Sequence, residues 1–97
     1  MFQLCINIPR ELLPEGIKNP AIFYAEKRPN LPDCGIDTGD IVVIDLDADF
    51  VNGEISVFKN SRLPIYRISN KRTRCYSEHL GKVAMVIKYY GNSPING

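Results

Sequence analysis

Residues 35–45 have the sequence GIDTGDIVVID and decide the fold class of this chain. A Gly-Asp turn at residues 39–40 leads into four consecutive apolar, β-branched residues. Such a run, bounded by turn residues, predicts a core strand that is buried on both faces. A second unit of the same kind follows at residues 53–59, where GEISVFK places a Gly-Glu turn before another apolar strand.

Five further segments have the composition of short strands, with turn residues between them. They lie at residues 2–8, 21–27, 63–69, 73–76 and 82–90. Helix is predicted only as a single turn at residues 10–13, because proline and glycine are dense in this part of the chain. The pattern therefore predicts an all-β, barrel-like or sandwich fold of about six short strands.

The chain length of 97 residues predicts one domain. We expect residues 1–20 to form an arm or lead-in, residues 21–90 the β domain, and residues 91–97 a flexible tail. No stretch approaches the ~20 apolar residues of a membrane span, and the N-terminus has no signal-peptide pattern. Three cysteines at wide spacings favour reduced thiols over a disulfide framework, which predicts a cytoplasmic protein.

Four dipeptides recur in a fixed order along the chain: Gly35-Ile36, Gly39-Asp40, Gly53-Glu54 and Leu80-Gly81. In order and spacing they resemble the C-terminal peptidase domain of LexA, UmuD and related phage repressors. The resemblance covers roughly residues 20–90. It implies a LexA/UmuD-like β fold, in which the Leu-Gly pair forms a turn before the last strand.

The family's chemistry depends on a Ser-Lys dyad, in which a neutral lysine takes the proton from the attacking serine. At the serine position this chain has Asn30, or Leu31 if a one-residue gap is allowed, and its first serine is Ser56. At the lysine position it has Tyr66, followed by Arg67. An arginine stays protonated and does not serve as a neutral base. We therefore expect no peptidase activity of this type.

Without the dyad, the resemblance implies a domain that acts by binding. The former catalytic cleft would still hold an extended chain by strand addition. Its expected lining residues are Asn30, Leu31, Pro32, Asp33 and Tyr66. The family also implies a homodimer, or a heterodimer with a family member, and a polymerase or recombinase partner in the SOS response to DNA damage or in phage-repressor-type regulation.

Two other functions stay open on the sequence alone. One is a divergent self-cleaving peptidase with a different nucleophile. The other is nucleic-acid binding through phosphate contacts and base stacking by a basic hairpin at residues 66–76. Its cations are Arg67, Lys71, Arg72 and Arg74.

Charge is unevenly distributed along the chain. Residues 1–54 carry four basic and ten acidic side chains, whereas residues 55–97 carry eight basic and one acidic side chain. This asymmetry indicates either association with a partner of complementary charge or neutralisation of the two halves within one fold.

Neither a metal site nor a cofactor site is predicted. The acidic residues Asp45, Asp47 and Asp49 alternate, but a calcium loop starting there lacks the glycine and glutamate it would need at its sixth and twelfth positions. His79 is the single histidine, and no cysteine pair has the spacing of zinc ligands. The acidic segment is interpreted as a solvated turn.

Overall fold

The computed structural model describes residues 1–88, which form one six-stranded antiparallel sheet that curls into a half-barrel. The order of strands across the sheet is β1-β2-β3-β6-β4-β5, so β1 and β5 lie at its two edges. The prediction of an all-β fold with about six short strands is confirmed. The strands are β1 (Phe2–Leu4), β2 (Pro20–Tyr24), β3 (Ile41–Asp45), β4 (Ser56–Lys59), β5 (Tyr66–Ser69) and β6 (Glu78–Ile87).

Strand β3 is the centre of the fold and is buried on both faces, as its β-branched sequence predicts. Val42 and Ile44 belong to the larger apolar cluster on one face of the sheet, which also contains Phe23. Ile41 and Val43 belong to a second cluster on the other face. Successive side chains of a strand alternate between the two faces, so the run IVVI supplies both clusters.

The first twenty residues contribute to the sheet and to its second face. Strand β1 pairs with β2, and Ile8 and Leu13 pack against the second cluster. A single 3-10 turn, Arg10–Leu12, lies between them, in agreement with the predicted turn. Within residues 1–88 no helix is long and apolar enough to cross a membrane.

The Gly-Asp turn before β3 is held by a buried carboxylate. Asp40 is 5% exposed, and its Oδ2 accepts a hydrogen bond from the backbone N–H of Asp37 at 2.8 Å. The Nζ of Lys88, just after β6, donates to the same oxygen. This hydrogen bond raises the pKa of Lys88 above its ordinary value. Gly39 permits the turn because its φ is +90°, a conformation that L side chains rarely adopt.

The region before the last strand differs from the prediction in two ways. Residues 73–76, predicted as a strand, form a turn, in which Thr73 Oγ1 accepts the N–H of Tyr76 at 3.2 Å. The last strand begins at Glu78 rather than at residue 82, so Leu80 and Gly81 lie inside β6 and not in a turn. The predicted end of this strand at residues 89–90 and the predicted tail at residues 91–97 lie outside the described residues.

Candidate functional site

An open cleft of about 520 Å³ lies between residues 27–31 and the segment that runs from β5 to residue 76. Its size falls within the range of small-ligand sites, which is about 300–1,000 Å³. One wall is the loop that follows β2, and the other is the edge strand β5 with the turn after it. The lining residues are Met1, Lys27, Arg28, Pro29, Asn30, Leu31, Tyr66, Arg67, Ile68, Ser69, Asn70, Lys71, Thr73 and Tyr76.

The structure brings three of the five expected cleft residues together. Asn30, Leu31 and Tyr66 all line the cleft, although residues 30–31 and Tyr66 are far apart in sequence. Leu31 and Tyr66 also pack against the larger apolar cluster, which fixes the floor of the cleft. Pro32 and Asp33 are exposed and do not line it, because the chain turns away there through the positive φ of Asp33, +58°.

The basic hairpin predicted from the sequence divides into two parts. Arg67 and Lys71 line the cleft, whereas Arg72 and Arg74 do not. The guanidinium of Arg72 lies 5.8 Å from the centroid of the Phe50 ring. Two of the four cations therefore lie at the cleft and two lie outside it.

Two further cations line the opposite wall of the cleft, and sequence reasoning did not name them as site residues. Lys27 and Arg28 are both exposed and immediately precede the proline and asparagine of the cleft loop. Their position close to Asn30 in the sequence is the feature from which their place in the cleft could have been predicted. Arg28 is near Asp37, with 3.9 Å between Nε and Oδ1, and this pair is highly exposed.

Strand β5 presents a free backbone edge at the border of the cleft. Its single neighbour within residues 1–88 is β4. The N–H of Asn60 donates to the carbonyl of Ile65 at 2.9 Å and closes the β4–β5 hairpin. Hydrogen-bonded pairs alternate in an antiparallel ladder, so the backbone N–H and C=O groups of Tyr66 and Ile68 point away from β4.

Both tyrosines of the cleft are already engaged by neighbouring side chains. The Tyr66 ring packs edge-on against Phe23, with centroids 5.1 Å apart and an interplanar angle of 65°. The guanidinium of Arg67 lies 4.2 Å from the centroid of the Tyr76 ring. The second contact is a cation–π interaction, which holds the Arg67 charge in place.

The serine and threonine hydroxyl groups in the cleft form hydrogen bonds within turns. Ser69 Oγ donates to the carbonyl of Lys71 at 2.9 Å and accepts the N–H of the same residue at 3.2 Å. Thr73 Oγ1 accepts the N–H of Tyr76. Lys27 and Lys71 are exposed, whereas the lysine of a Ser-Lys dyad is neutral because it is buried. The cleft residues therefore do not form a paired nucleophile and base.

A serine and a histidine are in contact elsewhere in the sheet, and no sequence motif predicts this contact. Ser56 Oγ lies 3.0 Å from His79 Nε2, which is within the range of a nucleophile and its base. Ser56 is completely buried, however, so its oxygen is closed to a substrate. The His79 ring packs against Phe50 and Phe58, with centroids 5.4 Å away in both cases, and these two rings also contact each other. This pair stabilises the packing of β4 against β6.

The surroundings of His79 disfavour its charged form. Burial lowers the pKa of His79 below 6.5, the guanidinium of Arg72 lowers it further, and the carboxylate of Asp49 partly opposes both. His79 Nε2 and Ser56 Oγ share a hydrogen bond, and in the protonated ring Nε2 is its donor.

We expect the free energy of unfolding to fall as the pH decreases below about 6.5. The unfolded chain takes up a proton at His79 before the folded chain does, so acid favours unfolding. Urea denaturation between about pH 7 and pH 5 measures this effect. His79→Gln retains a polar partner for Ser56 without titrating, and its pH dependence should be flatter. Identical pH dependence in the two proteins would contradict the assignment to His79.

The acidic segment after β3 forms a hydrogen-bonded turn. Asp45 Oδ1 accepts the N–H of Asp47 at 3.0 Å, and Asp47 Oδ1 accepts from Asn19 Nδ2 at 3.5 Å. Within residues 1–88 no three His, Cys, Asp or Glu side chains come together as a group that could hold a metal ion. The carboxylates of Asp45 and Asp47 thus hold the turn after β3 by accepting hydrogen bonds.

Comparison of the chain with protein-family models, with curated proteins and with solved structures finds no match. The resemblance to LexA and UmuD therefore depends on the four ordered dipeptides alone. The sheet itself establishes the all-β fold class.

Proposed function

We propose that this chain is a non-catalytic, LexA/UmuD-like domain that acts by binding other polypeptides, with the cleft beside β5 as its binding site. The observation that carries the proposal is the outer backbone edge of β5 at the border of this cleft, with which no other strand of residues 1–88 pairs. An extended peptide bound there would extend the sheet by one strand. The N–H and C=O groups of Tyr66 and Ile68 would supply the hydrogen bonds.

The side chains around this edge support binding rather than catalysis. Tyr66 and Leu31 give the cleft an apolar floor, and Asn30 and Asn70 add polar groups at its walls. Ser69 is tied to Lys71 by two hydrogen bonds, and Ser56 is buried away from the cleft. A bound peptide would therefore be held and released intact.

The biological setting follows from the resemblance. Non-catalytic relatives of LexA or UmuD would act as homodimers or as heterodimers with an active family member. The polypeptide held in the cleft would then belong to the second subunit, or to a polymerase or recombinase, in the SOS response or in phage-repressor-type regulation.

Selection from a random-peptide display library tests the proposal. We expect enriched peptides whose binding shifts the NMR signals of Asn30, Leu31 and β5. Hydrogen exchange of the Tyr66 and Ile68 amides should slow, because they would donate to the peptide, while the amides of β1, at the opposite edge, should keep their rates. Intact mass spectrometry should show both the chain and the peptide uncleaved.

A pair of tyrosine variants gives the matched control. Tyr66→Ala removes the floor of the cleft and should weaken peptide binding by about tenfold or more. Tyr24→Ala removes an equally sized, half-buried ring from the opposite face of the sheet and should leave the affinity unchanged. Failure to enrich any peptide, equal effects of the two variants, or cleavage of the bound peptide would each overturn the proposal.

A further inference from the structure

We infer that the cleft selects extended peptides rich in carboxylate side chains. This inference rests on the proposed function, since it names the chemistry of the polypeptide held at the same site. The first support is the charge of the lining. Lys27 and Arg28 lie on one wall and Arg67 and Lys71 on the other, while no aspartate or glutamate of residues 1–88 lines the cleft.

These cations are available to a ligand. The ion pairs formed within residues 1–88 do not involve Lys27, Arg67 or Lys71. Arg28 has only its exposed, 3.9 Å contact with Asp37, and Lys88 binds the same carboxylate at 3.2 Å. Exposed pairs of this kind contribute little to stability. An incoming carboxylate would thus displace mainly water.

The arrangement of the charges favours an anion in the cleft over one on the open surface. Four like charges around one concavity reinforce each other's potential, and the bound anion relieves their mutual repulsion. The guanidinium of Arg67 is already held over the Tyr76 ring. Little side-chain freedom is therefore lost when Arg67 forms charge-assisted hydrogen bonds to a carboxylate.

A polypeptide suits this cleft better than a nucleic acid does. The outward N–H and C=O groups of Tyr66 and Ile68 form the alternating pattern that another peptide backbone completes. Base stacking requires a free aromatic face. Arg67 covers one face of the Tyr76 ring, and the Tyr66 ring is half-buried against Phe23.

Two synthetic peptides of about eight residues, a length within the usual range of a strand, test the inference on the full chain. They alternate threonine with glutamate or with glutamine and carry the same fluorescent label. Fluorescence anisotropy at about 50 mM salt should show the glutamate peptide binding at least about tenfold more tightly than the glutamine peptide. Binding of the glutamate peptide should weaken at about 0.5 M salt.

Two double variants separate the cleft charges from the net charge. The change Arg67→Gln with Lys71→Gln removes two cleft cations and should weaken binding of the glutamate peptide by about tenfold or more. The change Arg72→Gln with Arg74→Gln removes the same charge from the same segment, outside the cleft, and should alter affinity less than about threefold. Circular dichroism shows whether both variants keep the fold.

The outcomes distinguish this inference from the proposed function. If the glutamine peptide binds as tightly as the glutamate peptide and competes with library-selected peptides, acidic selection is wrong and peptide binding stands. If neither peptide binds, or if both double variants have equal effects, the inference is likewise overturned. A labelled oligothymidine of equal charge serves as a further competitor. Tighter, Arg67-dependent binding of this strand would overturn the inference in favour of nucleic acid.

Discussion

Replacement of Gly81 by alanine is expected to destabilise the fold by about 3 kcal/mol or more. A Cβ atom at this position would lie 2.4 Å from the carbonyl oxygen of Asp45 and 2.9 Å from its carbonyl carbon. Both atoms belong to the backbone of β3, so a change of side-chain rotamer does not relieve the clash. The two central strands would have to separate, at the cost of hydrogen bonds in the ladder between them. Urea unfolding followed by circular dichroism measures the loss.

Gly16→Ala is the matched control, since it makes the same chemical change where the added Cβ has no atom within 4 Å. The φ of Gly16 is +91°, so alanine there should cost only about 1–2 kcal/mol of backbone strain. If the loss exceeds the total stability, Gly81→Ala will show no cooperative unfolding transition, whereas Gly16→Ala will still be folded. This outcome also agrees with the prediction. Equal losses in the two variants would contradict the expected clash between the Cβ atom at residue 81 and the backbone of Asp45.

Gly81 lies in a part of β6 that the sequence pattern did not predict as a strand. Strand β3 was predictable because its signals are local: a Gly-Asp turn followed by β-branched residues. The first half of β6, with the sequence EHLG, has no such signal. Its extended conformation comes from pairing with β4, where Lys59 is opposite Glu78 and Phe58 is opposite His79. Residues 73–76 were predicted as a strand, but the local hydrogen bonds of Thr73 form a turn instead.

The candidate site was predictable to a similar extent. Asn30, Leu31 and Tyr66 were placed in one cleft by the resemblance, and the structure brings them together. The contact between Ser56 and His79 was not predictable, because it depends on a register shift between Val57 and Phe58 in the pairing of β4 with β6. Such a bulge changes which side chains meet, and periodicity in one strand does not specify its register against another.

Replacement of Phe23 by alanine is expected to destabilise the protein by about 3–5 kcal/mol. Phe23 is 1% exposed and belongs to the larger apolar cluster on one face of the sheet. Removal of the ring leaves a cavity in this cluster. The expected loss is a large fraction of the total stability of a small domain, which is only about 5–15 kcal/mol. Phe2→Ala is the control, because Phe2 is 46% exposed and should cost about 1 kcal/mol or less. Urea unfolding of both variants under the same conditions checks the difference.

Phe23 also links the core to the cleft, since its ring supports Tyr66 edge-on. Phe23→Leu keeps apolar volume but removes the ring, so it should fold with a smaller loss, about 1.5 kcal/mol. Tyr66 would lose the partner that holds its position, and binding of library-selected peptides should weaken several-fold although residue 23 itself does not line the cleft. Isothermal titration at a temperature where both proteins are fully folded measures this effect. Unchanged affinity of Phe23→Leu would mean that Leu31 and the rest of the cluster suffice to hold Tyr66, and that the cleft is independent of this part of the core.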